Sequence, residues 1–352
     1  MIADTKDIVT IHDYHNDSIE WDDYVYNNKN STIYHKIGWE NVIKQTFHHK
    51  SYFLTARQDG MICGILPLFL MKSLFFGRYL VSLPFIDSSG VIADTEDIAA
   101  HLCDQAIELA RDNRVDFLEL RNPIEIKHPN LVTASHKVNF ILPLDPDPNV
   151  LWKNVFHENI RNKVRKAIKN NLYVESGNNN LYINDFYQVF SKNMRDLGTP
   201  VYPKDFFINL AKEFPQNMLL FLVYLDGKAI GGKIVLLYKD TIYFIYHSSM
   251  KEYAKLAPNN LLYWTAIEYA CKNGYKICNM GRSNKNSGPF NFKKQWGGEP
   301  RQLYWQYYVN NGKHVPNLSP TNPKFSLAID LWKRLPVRLT QLLGPLIAKN
   351  IP

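Results

Sequence analysis

Cysteine is scarce in this chain. Cys63, Cys103, Cys271 and Cys278 form no CxxC pair and show no metal-ligand spacing, which excludes a disulfide framework and gives no reason to expect a metal. They read as buried thiols in a reducing compartment. Long apolar runs are missing too: the most apolar stretch, Met61 to Ile86, carries Pro67 and is interrupted by Lys72, Gly77 and Arg78, so it cannot span a bilayer. The first 23 residues are polar and acidic, the opposite of a signal peptide. The expectation is a cytoplasmic protein. Acid is in deficit, with 33 Asp and Glu against 41 Lys and Arg and a net charge of +8. That balance favours anionic partners, whether phosphates, nucleic acid or an anionic membrane face, without choosing among them.

What is present points to two domains. A chain of 352 residues with 45% hydrophobic and 21% charged residues can bury two cores. An aromatic fraction of 13% leans toward β-strands and a stacking-rich cleft. YFLTARQDGMICGILPLFL (Tyr52 to Leu70) reads as strand, Asp-Gly turn, strand, and LFLVYLDGKAIGGKIVLLY (Leu220 to Tyr238) reads the same way. Asp59, Gly60 and Gly64 match Asp226, Gly227 and Gly231 at a constant offset. Downstream, AIELARDNRVDFLEL (Ala106 to Leu120) and AIEYACKNGYKICNM (Ala266 to Met280) each give a helix followed by a strand. Two blocks in the same order argue for duplication, against the blander reading of two generic α/β segments of similar composition. The expected fold is α/β, two tandem modules, each a mixed, mainly antiparallel sheet flanked by helices, with a cleft where neighbouring strands diverge. LPLDPDPNVLWKNVF (Leu142 to Phe156) carries three prolines and sets the boundary. The expected domains are 1–145, 146–310 and a tail, 311–352.

Four segments resemble a known family: KSLFFGRYLVSLPF (Lys72 to Phe85), NMRDLGTPVYP (Asn193 to Pro203), NNLLYW (Asn259 to Trp264) and GRSNKNSGPFNFKKQWG (Gly281 to Gly297). Over residues 20–310 the chain resembles the FemAB-like branch of the GNAT acyltransferase superfamily, in particular members associated with exosortase/PEP-CTERM and exopolysaccharide systems. The resemblance implies a double GNAT fold and transfer of an acyl or aminoacyl group to an amine on a cell-envelope, lipid-linked glycan or small-molecule precursor. It implies no permanently bound cofactor, with acyl-CoA or aminoacyl-tRNA as donor substrate. The coiled-coil arm of some Fem transferases has no counterpart between Lys169 and Met218, which disfavours tRNA. KEYAKLAPNN (Lys251 to Asn260) lacks the glycines of a pyrophosphate-cradling loop, which puts ordinary CoA binding in doubt.

Acyl transfer to an amine needs a neutral nucleophile, a positive group facing the developing oxyanion and grips on both substrates. By the resemblance, Lys293, following Phe292, is the oxyanion-stabilising candidate, with Lys294 as fallback and Trp296 beside it; a solvated basic turn over a core tryptophan is the alternative. Arg195 and Asp196 precede a Gly-Thr-Pro turn and Tyr202, so Asp196 is a candidate base and its neighbours candidate grips. A helix-terminal ion pair explains the same residues. His247, at the end of Asp240 to Ser249, is a candidate base or a structural histidine. In a helix from Leu151 to Asn171, Arg161, Arg165 and Lys169 share a stripe with Lys166 beside it, opposite a buried Phe156, Ile160, Val164 and Ile168. That stripe suits a diphosphate or plain solvent. Arg282, in Gly281-Arg282-Ser283, is a further anion-binding candidate.

The tail FSLAIDLWKRLPVRLTQLLGPLIAK (Phe325 to Lys349) is a broken amphipathic stretch. It suits the cytoplasmic membrane surface, packing back onto the domains, or a dimer contact. The second class of function left open is a non-catalytic scaffold of polysaccharide assembly with a decayed donor site.

Overall fold

The computed structural model describes residues 10–14, 18–73, 76–310 and 323–351. Part of the acidic N-terminus, residues 74 and 75 of the first family-like segment and the start of the tail fall outside the described residues.

The chain divides into two units, one running to Lys137 with the strand after Gln302, the other Val138–Arg301 with the final helices. In chain order the first elements are β1 (Thr10–Asp13), α1 (Ser18–Asn27), α2 (Gly38–Phe47), β2 (Lys50–Gln58), β3 (Met61–Ser73), β4 (Gly77–Val81), β5 (Ile92–Ala93), α3 (Glu96–Asp112), β6 (Phe117–Asn122), β7 (Val132–Ala134) and β8 (Lys137–Pro143). There follow α4 (Pro148–Asn154), α5 (Glu158–Lys169), β9 (Tyr173–Gly177), α6 (Asn180–Leu197), α7 (Lys204–Glu213), β10 (Met218–Leu225), β11 (Lys228–Tyr238), β12 (Thr241–Ser249) and α8 (Pro258–Lys272). The last are β13 (Ile277–Asn284), α9 (Gly288–Gln295), β14 (Glu299–Gln302), β15 (Tyr304–Val309), α10 (Ser326–Arg334) and α11 (Val337–Ala348).

The two sheets repeat one plan. Their strand orders are β1-β2-β3-β4-β6-β15-β7, with β5 on β3, and β9-β10-β11-β12-β13-β8-β14. Each contains a hairpin closed by an Asp-Gly turn, Asp59-Gly60 and Asp226-Gly227, whose residues take positive φ as a tight hairpin turn of matching twist demands. Each contains a parallel pair, β4 with β6 and β12 with β13, because α3 or α8 must cross over between its strands. Thr95 caps α3 by accepting from the Ile98 N–H, and Ile98, Leu102, Ala106 and Ala110 bury one stripe of it against the first sheet.

Two features depart from the sequence reading. The halves trade a strand: β8, at the end of the first repeat, lies beside β13 in the second sheet, and β15, at the end of the second, pairs with β6 in the first. Residues 304–309 therefore fold with the first unit rather than the second. Alternation along a strand marks its faces and not its neighbours, so no local pattern reports the exchange. The helix expected over Leu151 to Asn171 is two helices, α4 and α5, parted at residues 155–157. Ala167 takes the buried position assigned to Ile168, which is exposed.

In the second unit α8 packs on one face of the sheet, with Leu262 against Gly231, and α6 on the other, with Phe186 against Gly232. The final helices lie on α6. Gln341 donates to Ser191 Oγ at 2.8 Å, and Arg195 Nη1 donates to Leu335 O at 2.9 Å.

Candidate functional site

Strands β12 and β13 are paired only from Thr241–Ile277 to Tyr243–Asn279, although β12 continues to Ser249 and β13 to Asn284. Beyond that point they part. One cause is a bulge in the β11–β12 register, where Phe244 faces Val235 and Tyr246 faces Ile234, leaving Ile245 as the extra residue. Another is Gly281, at φ +75°, where β13 turns two successive carbonyls toward one atom. Lys293 Nζ, on α9, donates to Gly281 O and Arg282 O, both at 2.8 Å. Buried carbonyls that have lost a strand partner need another donor, and Lys293, itself 5% exposed, supplies it at the mouth of the opening.

Facing this from β11 is Lys233. Its cross-strand partner is His247 on β12, so the two side chains share the face covered by α8. Lys233 is wholly buried; its Nζ has no hydrogen-bond partner and lies 3.6 Å from the Tyr263 ring centroid and 4.0 Å from that of Phe244. Burial holds its ammonium well below the ordinary lysine range, Cys278 pulls it part of the way back up, and Lys293, a smaller effect, pushes it down. Burial, then the charges of Lys233 and Lys293, lower His247 to about 3. The imidazole is set among protein atoms with its outer surface open to solvent, and it is neutral at pH 7. Burial also raises the Cys278 thiol and the Tyr263 phenol, keeping both neutral. The site thus combines a neutral imidazole, a buried amine whose protonation burial opposes and an anchored lysine.

His247 and Lys293, both singled out from the sequence, are brought into one electrostatic neighbourhood. The other candidates have different work. Arg161 Nη1 donates to Trp152 O, Lys153 O and Phe156 O at 3.0–3.2 Å, tying off carbonyls at the end of α4 and in the bend that follows it; Arg165 donates to Asn162 and lies over the Trp152 ring, and Lys166 is exposed. Accordingly, Arg161→Ala is expected to lower stability by about 1–2 kcal/mol in urea unfolding. Unchanged stability with a weakened phosphorylated acceptor would restore the diphosphate reading.

Asp196 accepts from Arg195 Nε at 2.7 Å, and Arg195 also holds the turn between the final helices, so this pair, on α6, serves as a strut. Tyr202 packs its ring against Phe190, Phe206 and Tyr246. Trp296 is core: wholly buried, 4.9 Å from the Phe156 ring and 5.6 Å from that of Tyr263. Lys294 and the Arg282 side chain are exposed.

Sequence reasoning missed Lys233, although Gly231, Lys233 and Val235 alternate on one face of an otherwise apolar strand. It also missed two amides at the start of α8. There, where a glycine loop was sought, Ala257 takes φ +60° without a side-chain cap, and Asn259 Oδ1 and Asn260 Nδ2 are buried without partners. Unmet polar groups at a helix N-terminus suit an anionic or amide-rich donor. Among the described residues no cluster could hold a metal ion.

Residues 155–294 match the family described as the Acetyltransferase (GNAT) domain. Among solved structures, FemX is similar at 17% identity and a TM-score of 0.66, over 85% of this chain and 98% of that one. The C-terminal domain (DUF2156) of a protein named as a lysylphosphatidylglycerol synthetase of Agrobacterium fabrum is similar at 12% identity and a TM-score of 0.56, over 84% and 91%. A tandem GNAT protein from the clavulanic acid biosynthesis pathway is similar at 11% identity and a TM-score of 0.54, over 85% and 98%. No curated protein sequence matches the chain. The two-sheet architecture is thus similar to the tandem GNAT fold, and the segment that matches the acetyltransferase (GNAT) domain model, residues 155–294, holds the opened strands.

Proposed function

We propose that the protein transfers an acyl or aminoacyl group to an amine, with the chemistry in the gap between β12 and β13. The observation that carries this reading is the parting of the two strands beside Lys293 and His247. The donor's carbonyl would lie in the gap. A neutral amine attacks its carbon, the C–N bond forms, and the C–S bond of a thioester or C–O bond of an ester breaks. His247 takes the proton that the amine gives up and passes it to the leaving thiolate or alkoxide. Lys293, held by two carbonyls, is already oriented when charge develops on the oxygen, so little reorganisation opposes the step.

The acceptor we propose is an amine on a cell-envelope or exopolysaccharide precursor; the resemblance to the FemAB-like branch supports this class. The same resemblance keeps aminoacyl-tRNA beside acyl-CoA as donor. The glycine-free start of α8 favours a donor gripped by Asn259 and Asn260 rather than by a nest of backbone N–H groups. It is also the one observation that favours a scaffold with a decayed donor site. Native mass spectrometry of the purified protein, followed by incubation with acyl-CoA or aminoacyl-tRNA and an amine acceptor, tests both. Amine-dependent release of CoA or tRNA supports the transferase; release with neither donor and no bound acyl species supports the scaffold.

A further inference from the structure

Helix α11 is amphipathic the wrong way round for a helix packed on a globular domain. Its buried residues are the small or polar Thr340, Gly344 and Ala348, at every fourth position and so on one face. Leu339, Leu342, Leu343 and Leu346 face outward, with Leu342 73% and Leu346 60% exposed. Helix α10 repeats the arrangement. Ile329 turns inward onto Gly198, while Leu327, 72% exposed, and Leu331 face out. A roll that buried the leucines is barred at the seat: a Cβ on Gly344 would come within 3.0 Å of the Val201 backbone, so that face is fitted to a residue without a side chain. The hydrogen bonds from Gln341 and Arg195 fix the same orientation.

We propose that α10 and α11 form a docking surface for an anionic phospholipid bilayer, holding the second unit at the membrane face. The charge on the same helices selects this occupant. From residue 323 to 351 the bases are Lys324, Lys333, Arg334, Arg338 and Lys349, and the one acid is Asp330. Lys333, Arg334 and Arg338 are exposed along with the leucines. Apolar side chains ringed by bases match an interface where acyl chains lie beneath anionic headgroups. A second copy is a poorer occupant, because a two-fold contact would set this basic face against its own like. The helices lie on the surface rather than crossing it, since no helix among the described residues is long and apolar enough to span a bilayer. The surface does not depend on the proposed transfer chemistry.

Flotation of the full chain with vesicles tests it. The protein is expected to float with vesicles of phosphatidylcholine and phosphatidylglycerol, weakly with phosphatidylcholine alone, and less as salt rises. Leu342→Glu with Leu346→Glu should lower partitioning by about a hundredfold or more, and Lys333→Glu with Arg338→Glu by about tenfold or more on the anionic vesicles. Thermal melts should match the wild type, because all four residues are exposed. Failure of the wild type to float, or flotation of the leucine variant at the wild-type level, overturns the proposal. So does light scattering that shows a dimer which the leucine variant disperses.

Discussion

Lys293→Met lowers the turnover of acyl transfer by about 10²–10³-fold with little change in the apparent KM for the amine, the expected signature of a lost oxyanion partner. The reasoning is positional. Lys293 is nearly buried and donates to the carbonyls of residues 281 and 282. A group held this way is oriented before the step, and it can answer a negative charge that appears only in the transition state. Methionine keeps the length of the side chain and its packing near Phe140, so the fold should hold in circular dichroism and thermal melts. Turnover is read with whichever donor native mass spectrometry identifies. A variant that folds and retains full turnover would dismiss the role, and a rise in KM alone would make Lys293 a substrate grip.

Lys233→Met moves stability and activity in opposite directions. In the folded state Lys233 is held well below its ordinary value of 10.5. Between the two values the unfolded chain binds a proton that the native chain refuses, so this group makes stability rise with pH toward 10.5 and fall as the solution is acidified. Methionine removes that dependence and leaves an apolar side chain between Phe244 and Tyr263. The variant is expected to be more stable than the wild type at pH 7, by roughly 1–4 kcal/mol, with a flatter profile in urea unfolding across pH. The charged neighbours of His247 that lower its affinity for protons are Lys233 and Lys293; with one removed, the acid limb of the rate profile should shift upward toward the ordinary histidine value of 6.5. A less stable variant at pH 7 would show that the ammonium has a partner worth keeping. An unmoved acid limb would separate Lys233 from His247.

Much of this architecture was legible in the residues because it is local. The Asp-Gly hairpins announce themselves, since few other pairs accept two positive φ angles in succession, and the crossover helices carry the 3.6-residue stripe and their caps. The strand exchange was hidden because β8 and β15 have ordinary alternation, and nothing in YWQYYV says whose edge it joins. Long basic side chains misled in a consistent way. Arg161 and Arg195 looked like grips for phosphate and acceptor, but each ties down main-chain carbonyls at a bend, a use with the same sequence signature as ligand binding. Lys293 and His247 were visible through their motif and strand. Lys233 was passed over because a lysine in a strand is ordinarily read as outward, although its parity with Gly231 places it inward.

The exchange of β8 and β15 has a consequence in time. When the ribosome has made β8, the sheet begun by β1 has neither the strand that flanks β6 nor any neighbour for β7, because both roles fall to β15. At about 5–20 residues per second, the roughly 160 residues between β8 and β15 take on the order of 10–30 s to emerge. Throughout that interval β6, buried along its whole length in the finished protein, has an open edge, the kind of surface that pairs with other chains. The first half of the molecule to be synthesised is therefore among the last to be closed.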